Sequence, residues 1–261
     1  MIPVYSISKP FLAQAVLELD IPLQQQIGAM LPALPAVYAS RSIESLLNHT
    51  SGLGDYTQLP EYRSAVVAGQ PAWERDTLLA LCGDAPHNHV GFHYSNIGFL
   101  LLRMLVEQQT SSSFFTALSQ LVLDPLGITG FIEWELPTAV VPGYDPRWVY
   151  SGTLVAAPEA IAPAMAKLTE HRASTIGLST GWVPVSHAGT GFDAPGYNFG
   201  FMTDGGSESE QPLRVGHGGS GPGFGLMALV DVRTGRSAVE YSGEDFDQAL
   251  TIARMRRTLD G

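Results

Sequence analysis

The residues best suited to chemistry in this sequence stand near its amino end. Ser6-Ile7-Ser8-Lys9 places a hydroxyl three residues before an amine, and Pro10 follows where it suits the first turn of a helix. Residues i and i+3 share one face of a helix, so the Lys9 amine can approach the Ser6 hydroxyl. A serine is activated when a neighbour takes its proton, and a desolvated lysine has a pKa low enough to take part. Alone, this spacing is a weak signal.

A second candidate group is Tyr94-Ser95-Asn96, just before an apolar stretch with helical periodicity. A phenol beside a cation can act as a general acid or base. The Asn96 amide offers both a donor and an acceptor, enough to orient Lys9 and a substrate carbonyl. The alternative is a core tyrosine next to a helix N-cap, and the motif alone favours that interpretation.

A third group is His217-Gly218-Gly219-Ser220, which follows a strand-like run. Paired glycines let a substrate lie against a strand edge. A backbone N–H of this segment, together with that of Ser6, would form an oxyanion hole. The alternative is a glycine-rich hairpin.

Periodicity predicts the elements that must position these groups. Helices are expected from near Ser6 to Leu19 and over 97–109, 113–122, 158–168 and 245–259. Strands are expected over 214–218, 223–232 and 236–242, separated by turns. Successive antiparallel strands with helices before and after them predict an α+β fold, an antiparallel sheet flanked by helices.

Together and in this order, the motifs resemble the serine β-lactamase family of class C type, which includes D-Ala-D-Ala carboxypeptidases and related esterases. The similarity begins near residue 4 and runs to the C-terminus. The matching segments are Tyr5–Leu12 (the nucleophile helix), Leu46–Leu53 ("LLxHTSGL"), Phe92–Gly98 ("F-x-YSN-x-G"), Ser151–Val155 ("GGLVST") and Gly216–Phe224 ("GHGG-x-PGF").

The resemblance implies one β-lactamase/transpeptidase-like domain over residues 1–261. A helical subdomain would cover about 40–200, and a sheet subdomain would be built from 1–20 and 210–261. It implies a serine hydrolase that forms an acyl-enzyme and cleaves a small ester, an amide, a β-lactam or a D-amino-acid peptide. The alternative is a catalytically inactive binding or structural relative.

Carried over position by position, the resemblance gives Ser6 the role of nucleophile, and Lys9 and Tyr94 that of proton transfer. Which of the two is the base stays open. The orienting and substrate-binding positions are Asn96, His217, Gly219 and Ser220, and the backbone N–H groups of Ser6 and Ser220 would hold the oxyanion. No cofactor is implied.

The sequence departs from the family pattern in two places. His217 stands where the family often has lysine, and an unperturbed histidine is mostly neutral at pH 7, which favours esters or amides over β-lactams. Family members also carry a helix and strands before the S-x-x-K motif, so the fold is expected to be N-terminally truncated. Arg236–Ser242 is then expected to be an unpaired sheet edge, open to a homodimer; a start codon placed too late is the other explanation.

Composition excludes several classes. A formal charge of −11 argues against nucleic-acid binding. No apolar run reaches the roughly 18–20 residues of a membrane span. No signal peptide precedes Val4, so a cytoplasmic protein is expected, or a periplasmic or secreted one if the true N-terminus lies upstream. Cys82 is the single cysteine, which leaves no intrachain disulfide. His87, His89 and His93 lie in a loop-like segment, and no metal site is predicted there.

Overall fold

Two antiparallel sheets and the helices around them form the part of the chain that the structure, a computed structural model, describes: residues 1–83, 88–186 and 190–260. The strands are β1 (Ile2–Pro3), β2 (Phe131–Glu133), β3 (Leu154–Ala156), β4 (Val183–Pro184), β5 (Pro195–Asn198), β6 (Phe201–Asp204), β7 (Arg214–Gly221), β8 (Phe224–Asp231) and β9 (Ser237–Ser242). The helices are α1 (Ser8–Leu17), α2 (Ala36–Ala39), α3 (Ile43–Leu47), α4 (Pro60–Val67), α5 (Arg75–Gly83), α6 (Asn96–Thr110), α7 (Phe114–Leu118), α8 (Pro158–Thr175) and α9 (Gln248–Asp260).

Helix α1 runs through the middle of the fold. A 3₁₀ turn, Tyr5–Ile7, leads directly into it, which confirms the helix predicted to begin near Ser6. Every residue of α1 except Leu17 is buried, and the helix packs against α6, α7, α8 and β7. A helix that is buried all round gains most of its stability from tertiary contacts, so its position is set by the elements around it.

Helix α6 begins at the second candidate motif. The Ser95 side chain accepts a hydrogen bond from the backbone N–H of Gly98 at 3.3 Å, which satisfies one of the free N–H groups of the first turn. The helix ends at Ser111, which has φ 51°. Because its apolar face packs on α1 and α3, this helix brings Asn96 close to Lys9.

The larger sheet has the strand order β4-β5-β6-β7-β8-β9, all antiparallel. Every residue of β8 is buried, and since successive side chains point to opposite sides of the sheet, the strand is covered on both faces. Leu226, Ala228 and Val230 join the main core, on the side of α1 and α8. Met227 and Leu229 pack against α9 on the other side. Helices therefore cover both faces, as the α+β prediction requires.

The sheet extends further towards the N-terminus than expected. Strands β4, β5 and β6 lie at 183–204, within or just beyond the range of about 40–200 expected to be helical, whereas the sheet was expected to resume at 210. These strands have only two to four residues each, too few to show the alternating pattern by which a strand is recognised in a sequence. The β5–β6 turn at Phe199 and Gly200 has φ values of 24° and 92°.

Strand β9 lies at the edge of the sheet and pairs with β8 alone among the described residues. This confirms the predicted edge over 236–242. A second, smaller sheet of order β1-β3-β2 was not predicted. None of the helices in the described ranges is both long enough and apolar enough to cross a bilayer.

Gly200 gives a test of how tightly the β5–β6 hairpin packs on α1. A Cβ at Gly200 would lie 2.8 Å from the Lys9 carbonyl oxygen and 2.8 Å from the Ala13 Cβ. We expect Gly200→Ala to lower the free energy of unfolding by about 2–5 kcal/mol, the sum of left-handed strain and overpacking. Gly235→Ala is the matched control, since its φ is 71° and nothing lies within 4 Å; it should cost about 1–2 kcal/mol. Urea denaturation measures both, and equal losses would contradict the close packing.

Candidate active site

The turn that carries Ser6 is held in an uncommon backbone conformation. Tyr5 has φ 44°, in the left-handed region that residues with a side chain rarely adopt. Its hydroxyl donates a hydrogen bond to the Pro222 carbonyl oxygen at 3.0 Å, beyond the end of β7. Its ring packs edge-on against Trp134, with the centroids 5.7 Å apart. These contacts fix the turn and leave Ser6 half-buried at the start of α1.

Lys9 is fully buried and its amine lies among three oxygen atoms. Nζ donates to Ser6 Oγ at 3.0 Å, to Asn96 Oδ1 at 2.7 Å and to Ser151 Oγ at 3.3 Å. Burial lowers the pKa of Lys9 to about 7, and the charge of Asp55 partly opposes that shift. The S-x-x-K spacing therefore brings a hydroxyl and a readily deprotonated amine into contact.

Asn96 is oriented by a carboxylate that sequence reasoning missed. Its Nδ2 donates to both carboxylate oxygens of Asp55, at 3.2 and 3.0 Å, which turns Oδ1 towards Lys9. Burial raises the pKa of Asp55, while the backbone N–H of Thr57 and the charge of Lys9 lower it. The local sequence signal at Asp55 is that of a turn cap, and nothing in it points to a residue 41 positions away.

Tyr94 is a further side chain that contacts Ser6. Its side chain is half-buried and interacts with that of Ser6, and Lys9 Nζ lies 5.0 Å from its ring centroid. Burial raises the pKa of the phenol above its ordinary value, and the interaction with Ser6 opposes this. The structure thus brings Ser6, Lys9, Tyr94 and Asn96 together, as the motifs predicted.

On the side of β7 that faces Ser6, the second half of the strand pairs with no other described strand. Strand β7 pairs with β6 only over 214–216, whereas its pairing with β8 continues to Gly221. From His217 onwards its other edge faces the Tyr5–Ile7 turn. A Cβ at Gly219 would lie 2.4 Å from the Val4 carbonyl oxygen and 3.3 Å from the Ser6 nitrogen, so this approach needs a glycine. Ser220, one residue on, is exposed.

His217, a residue of this strand, is fully buried, and burial, followed by the charge of Lys9, lowers its pKa to about 3. Its imidazole is therefore neutral at ordinary pH. His217 Nε2 lies 3.3 Å from the Tyr197 hydroxyl, and His49 Nε2 lies 3.2 Å from the same hydroxyl. Sequence reasoning singled out His217 and missed Tyr197, which lies on the four-residue strand β5.

Ser6, Asp55, Tyr94, Asn96 and His217 open onto a cavity of about 540 Å³. It is lined by Ser6, Asp55, Thr57, Gln58, Phe92, Tyr94, Asn96, Val185, Thr190, Phe192, Pro195, Gly196, Tyr197, Met202, His217, Gly218, Ser220 and Gln248. Its walls combine aromatic rings with neutral polar groups, and Asp55 is the one carboxylate among these lining residues. A cavity of this size fits a small organic molecule.

The histidine segment considered as a metal site forms no cluster of three or more ligands within the described ranges. The rings of His89 and His93 stack with centroids 3.4 Å apart, while His87 lies outside the described residues.

A model of the Beta-lactamase family matches residues 1–253 of the chain, which include all the site residues described above. The chain belongs to the beta-lactamase family. This confirms the resemblance that the three motifs suggested, and places the beta-lactamase family's fold over nearly all of the molecule.

Individual relatives are distant in sequence. Penicillin-binding protein 4* of Bacillus subtilis (strain 168) is 28% identical over 131 residues, 47% of this chain and 28% of that protein, so the match spans less than a third of the relative's length. The D-amino acid amidase of Ochrobactrum anthropi SV3 superposes with TM-score 0.77 at 19% identity, covering 99% of this chain and 91% of that one. A D-stereospecific amidohydrolase from Streptomyces sp. gives TM-score 0.74 at 20% identity, covering 100% and 87%. These structures share the beta-lactamase/transpeptidase-like α+β fold.

The charge on Asp55 can be tested through Lys9. Removing it in Asp55→Asn should lower the pKa of Lys9 further below about 7, because a facing negative charge stabilises the ammonium form. NMR titration of the Lys9 side chain in labelled protein measures the midpoint. Asp145→Asn is the control, since Asp145 binds Arg147 and the Ala72 N–H and should leave the midpoint unchanged. An unchanged midpoint in Asp55→Asn would show that this carboxylate carries no charge towards Lys9.

Proposed function

We propose that this beta-lactamase family member is a serine hydrolase that forms an acyl-enzyme on Ser6 and cleaves a small ester or amide. The observation that carries the proposal is the contact of a fully buried Lys9 amine, with a pKa of about 7, with the Ser6 hydroxyl. A lysine in this state holds no proton in about half of the molecules near neutral pH, and can therefore accept one.

In the first step Lys9 takes the Ser6 proton as Ser6 Oγ attacks the substrate carbonyl carbon. Lys9 suits the role of base better than Tyr94, because burial lowers the pKa of the amine and raises that of the phenol. When the tetrahedral intermediate collapses, the bond to the leaving alcohol or amine breaks. The proton held by Lys9 returns to that group through the Tyr94 hydroxyl, which faces Ser6.

Deacylation repeats these steps with water. Water loses its proton to Lys9 as its oxygen attacks the acyl carbon, and the Ser6 oxygen leaves and regains a proton from Lys9. Asn96, held by Asp55, keeps the amine directed at Ser6 in both halves of the cycle. The developing oxyanion is assigned to the backbone N–H groups of Ser6 and Ser220, since the second half of β7 lies against the Ser6 turn.

Uncharged esters and amides fit the cavity better than carboxylate-bearing peptides or β-lactams. His217 lies on β7, the strand that carries the oxyanion N–H of Ser220, and is neutral, so it offers no positive charge to a substrate carboxylate. The amidase relatives act on amides by name, which agrees with this substrate class.

Catalysis is tested with p-nitrophenyl acetate and butyrate. We expect both to be hydrolysed faster than nitrocefin, with a rate that rises with pH through about 7 as Lys9 loses its proton. Ser6→Ala should abolish the activity and labelling by a fluorophosphonate probe. Ser174→Ala, a serine on α8 whose hydroxyl bonds the His171 carbonyl, should change neither. Folded wild-type protein that takes up no label would favour the inactive binding protein instead.

We also propose a homodimer through the edge of β9. Its six residues pair on one side only among the described strands, and an unpaired edge is a template for a second chain. Light scattering should give twice the monomer mass at micromolar concentration. Tyr241, which is 51% exposed, lies on β9; Tyr241→Lys should shift the equilibrium towards monomer, and Tyr241→Phe should not. A stable monomer in the wild type would contradict this interface.

A further inference from the structure

Three buried side chains form a hydrogen-bond chain at the cavity wall, which Tyr197 and His217 line. The Ser95 backbone N–H donates to His49 Nδ1 at 3.1 Å, and His49 Nε2 lies 3.2 Å from Tyr197 Oη. The same oxygen lies 3.3 Å from His217 Nε2, and His217 Nδ1 lies 2.5 Å from the Gly218 carbonyl oxygen. All three side chains are at most 1% exposed.

The two ends of this chain fix its direction. A backbone N–H only donates, so His49 Nδ1 is the acceptor and its single proton is on Nε2, pointing at Tyr197. The Tyr197 oxygen accepts this hydrogen bond from His49 Nε2. The Tyr197 hydroxyl then donates its own hydrogen to His217 Nε2. A backbone carbonyl only accepts, so the proton of His217 is on Nδ1, towards Gly218. Every donor then meets an acceptor, with one neutral tautomer for each histidine.

The surroundings of His217 reinforce this arrangement. The titratable groups that face it are Lys9 on α1, Tyr94 before α6, Tyr197 on β5 and His49 after α3. None of them is a carboxylate, and the charge of Lys9 disfavours a second cation. On the α9 side the neighbour at Gly218 is the neutral amide of Gln248. Protonating His217 at Nε2 would also leave the Tyr197 hydrogen without its acceptor.

We propose that His49 and Tyr197 are positioning residues that hold His217 as the neutral Nδ1–H tautomer and thereby restrict the cavity to substrates uncharged beside β7. The substrate restriction rests on the proposed hydrolase function, whereas the tautomer does not. His49 itself has φ 60°, a conformation uncommon for residues other than glycine, and this places its ring between Tyr94 and Tyr197.

NMR of ¹⁵N-histidine-labelled protein tests the chain without any substrate. Between about pH 5.5 and 8, the range in which an ordinary histidine titrates, His217 should stay neutral with its proton on Nδ1 and His49 neutral with its proton on Nε2. Titration of His217 near 6.5, or the opposite tautomer at either residue, would overturn the proposal. In Tyr197→Phe, the His217 resonances should show a mixture of tautomers and a raised pKa. Tyr150→Phe, which removes a hydroxyl bonded to the Trp73 carbonyl, should leave them unchanged.

A pair of esters tests the substrate restriction. The wild type should hydrolyse p-nitrophenyl butyrate at least about tenfold more efficiently than p-nitrophenyl hemisuccinate, the factor expected from one charge-assisted hydrogen bond. The ratio of kcat/KM for the butyrate to kcat/KM for the hemisuccinate should not change with pH, because the protonation of Lys9 affects both esters equally. In Tyr197→Phe this ratio should fall as the pH decreases. In His217→Lys it should be lower than in the wild type at every pH, chiefly through a change in KM. A wild-type ratio near one would refute the restriction. No turnover of either ester would refute the hydrolase function and leave the tautomer to the NMR result.

Discussion

The site depends on the burial of one amine. Lys9 has no exposed surface, so its nitrogen must find oxygen partners inside the protein. It finds them in three segments distant in sequence: the turn at Ser6, the start of α6 at Asn96 and the loop before β3 at Ser151. The same burial that makes these partners necessary also disfavours the charged form of the amine. One constraint therefore both assembles the site and prepares a group that can accept a proton.

The buried carboxylate of Asp55 affects both the orientation of Asn96 and the charge of Lys9. Asp55 faces Lys9 across the Asn96 amide, accepts from the amide nitrogen with both of its carboxylate oxygens and opposes the loss of the ammonium form. Because an amide can present either its oxygen or its nitrogen, the carboxylate decides which atom faces the lysine. No carboxylate of the described residues opposes the loss of charge at His217, which is buried among aromatic rings next to a cation. The two sides of the cavity thus differ in electrostatics although both are buried.

Much of this arrangement was predictable from local patterns. The spacing of Ser6 and Lys9 on a helix, the apolar periodicity of α6 and the apolar run of β8 each act within a few residues. The edge position of β9 followed from the family resemblance. Asp55 and Tyr197 could not be found in this way, because their partners Asn96 and His217 are brought to them only by the packing of other elements. Strands β4–β6 were not predicted because each has only two to four residues, too few for an alternating pattern, and the Phe199–Gly200 turn and the pairing of β6 with β7 decide their conformation.

The anchoring of Tyr5 has a geometric consequence for the nucleophile turn. Its backbone belongs to the nucleophile turn, while its phenol tip is attached at Pro222, in the connection between the two longest strands of the sheet. An aromatic ring does not bend, so this side chain acts as a rigid spacer. One side chain therefore couples the position of the turn that carries the nucleophile to the end of the strand that faces it.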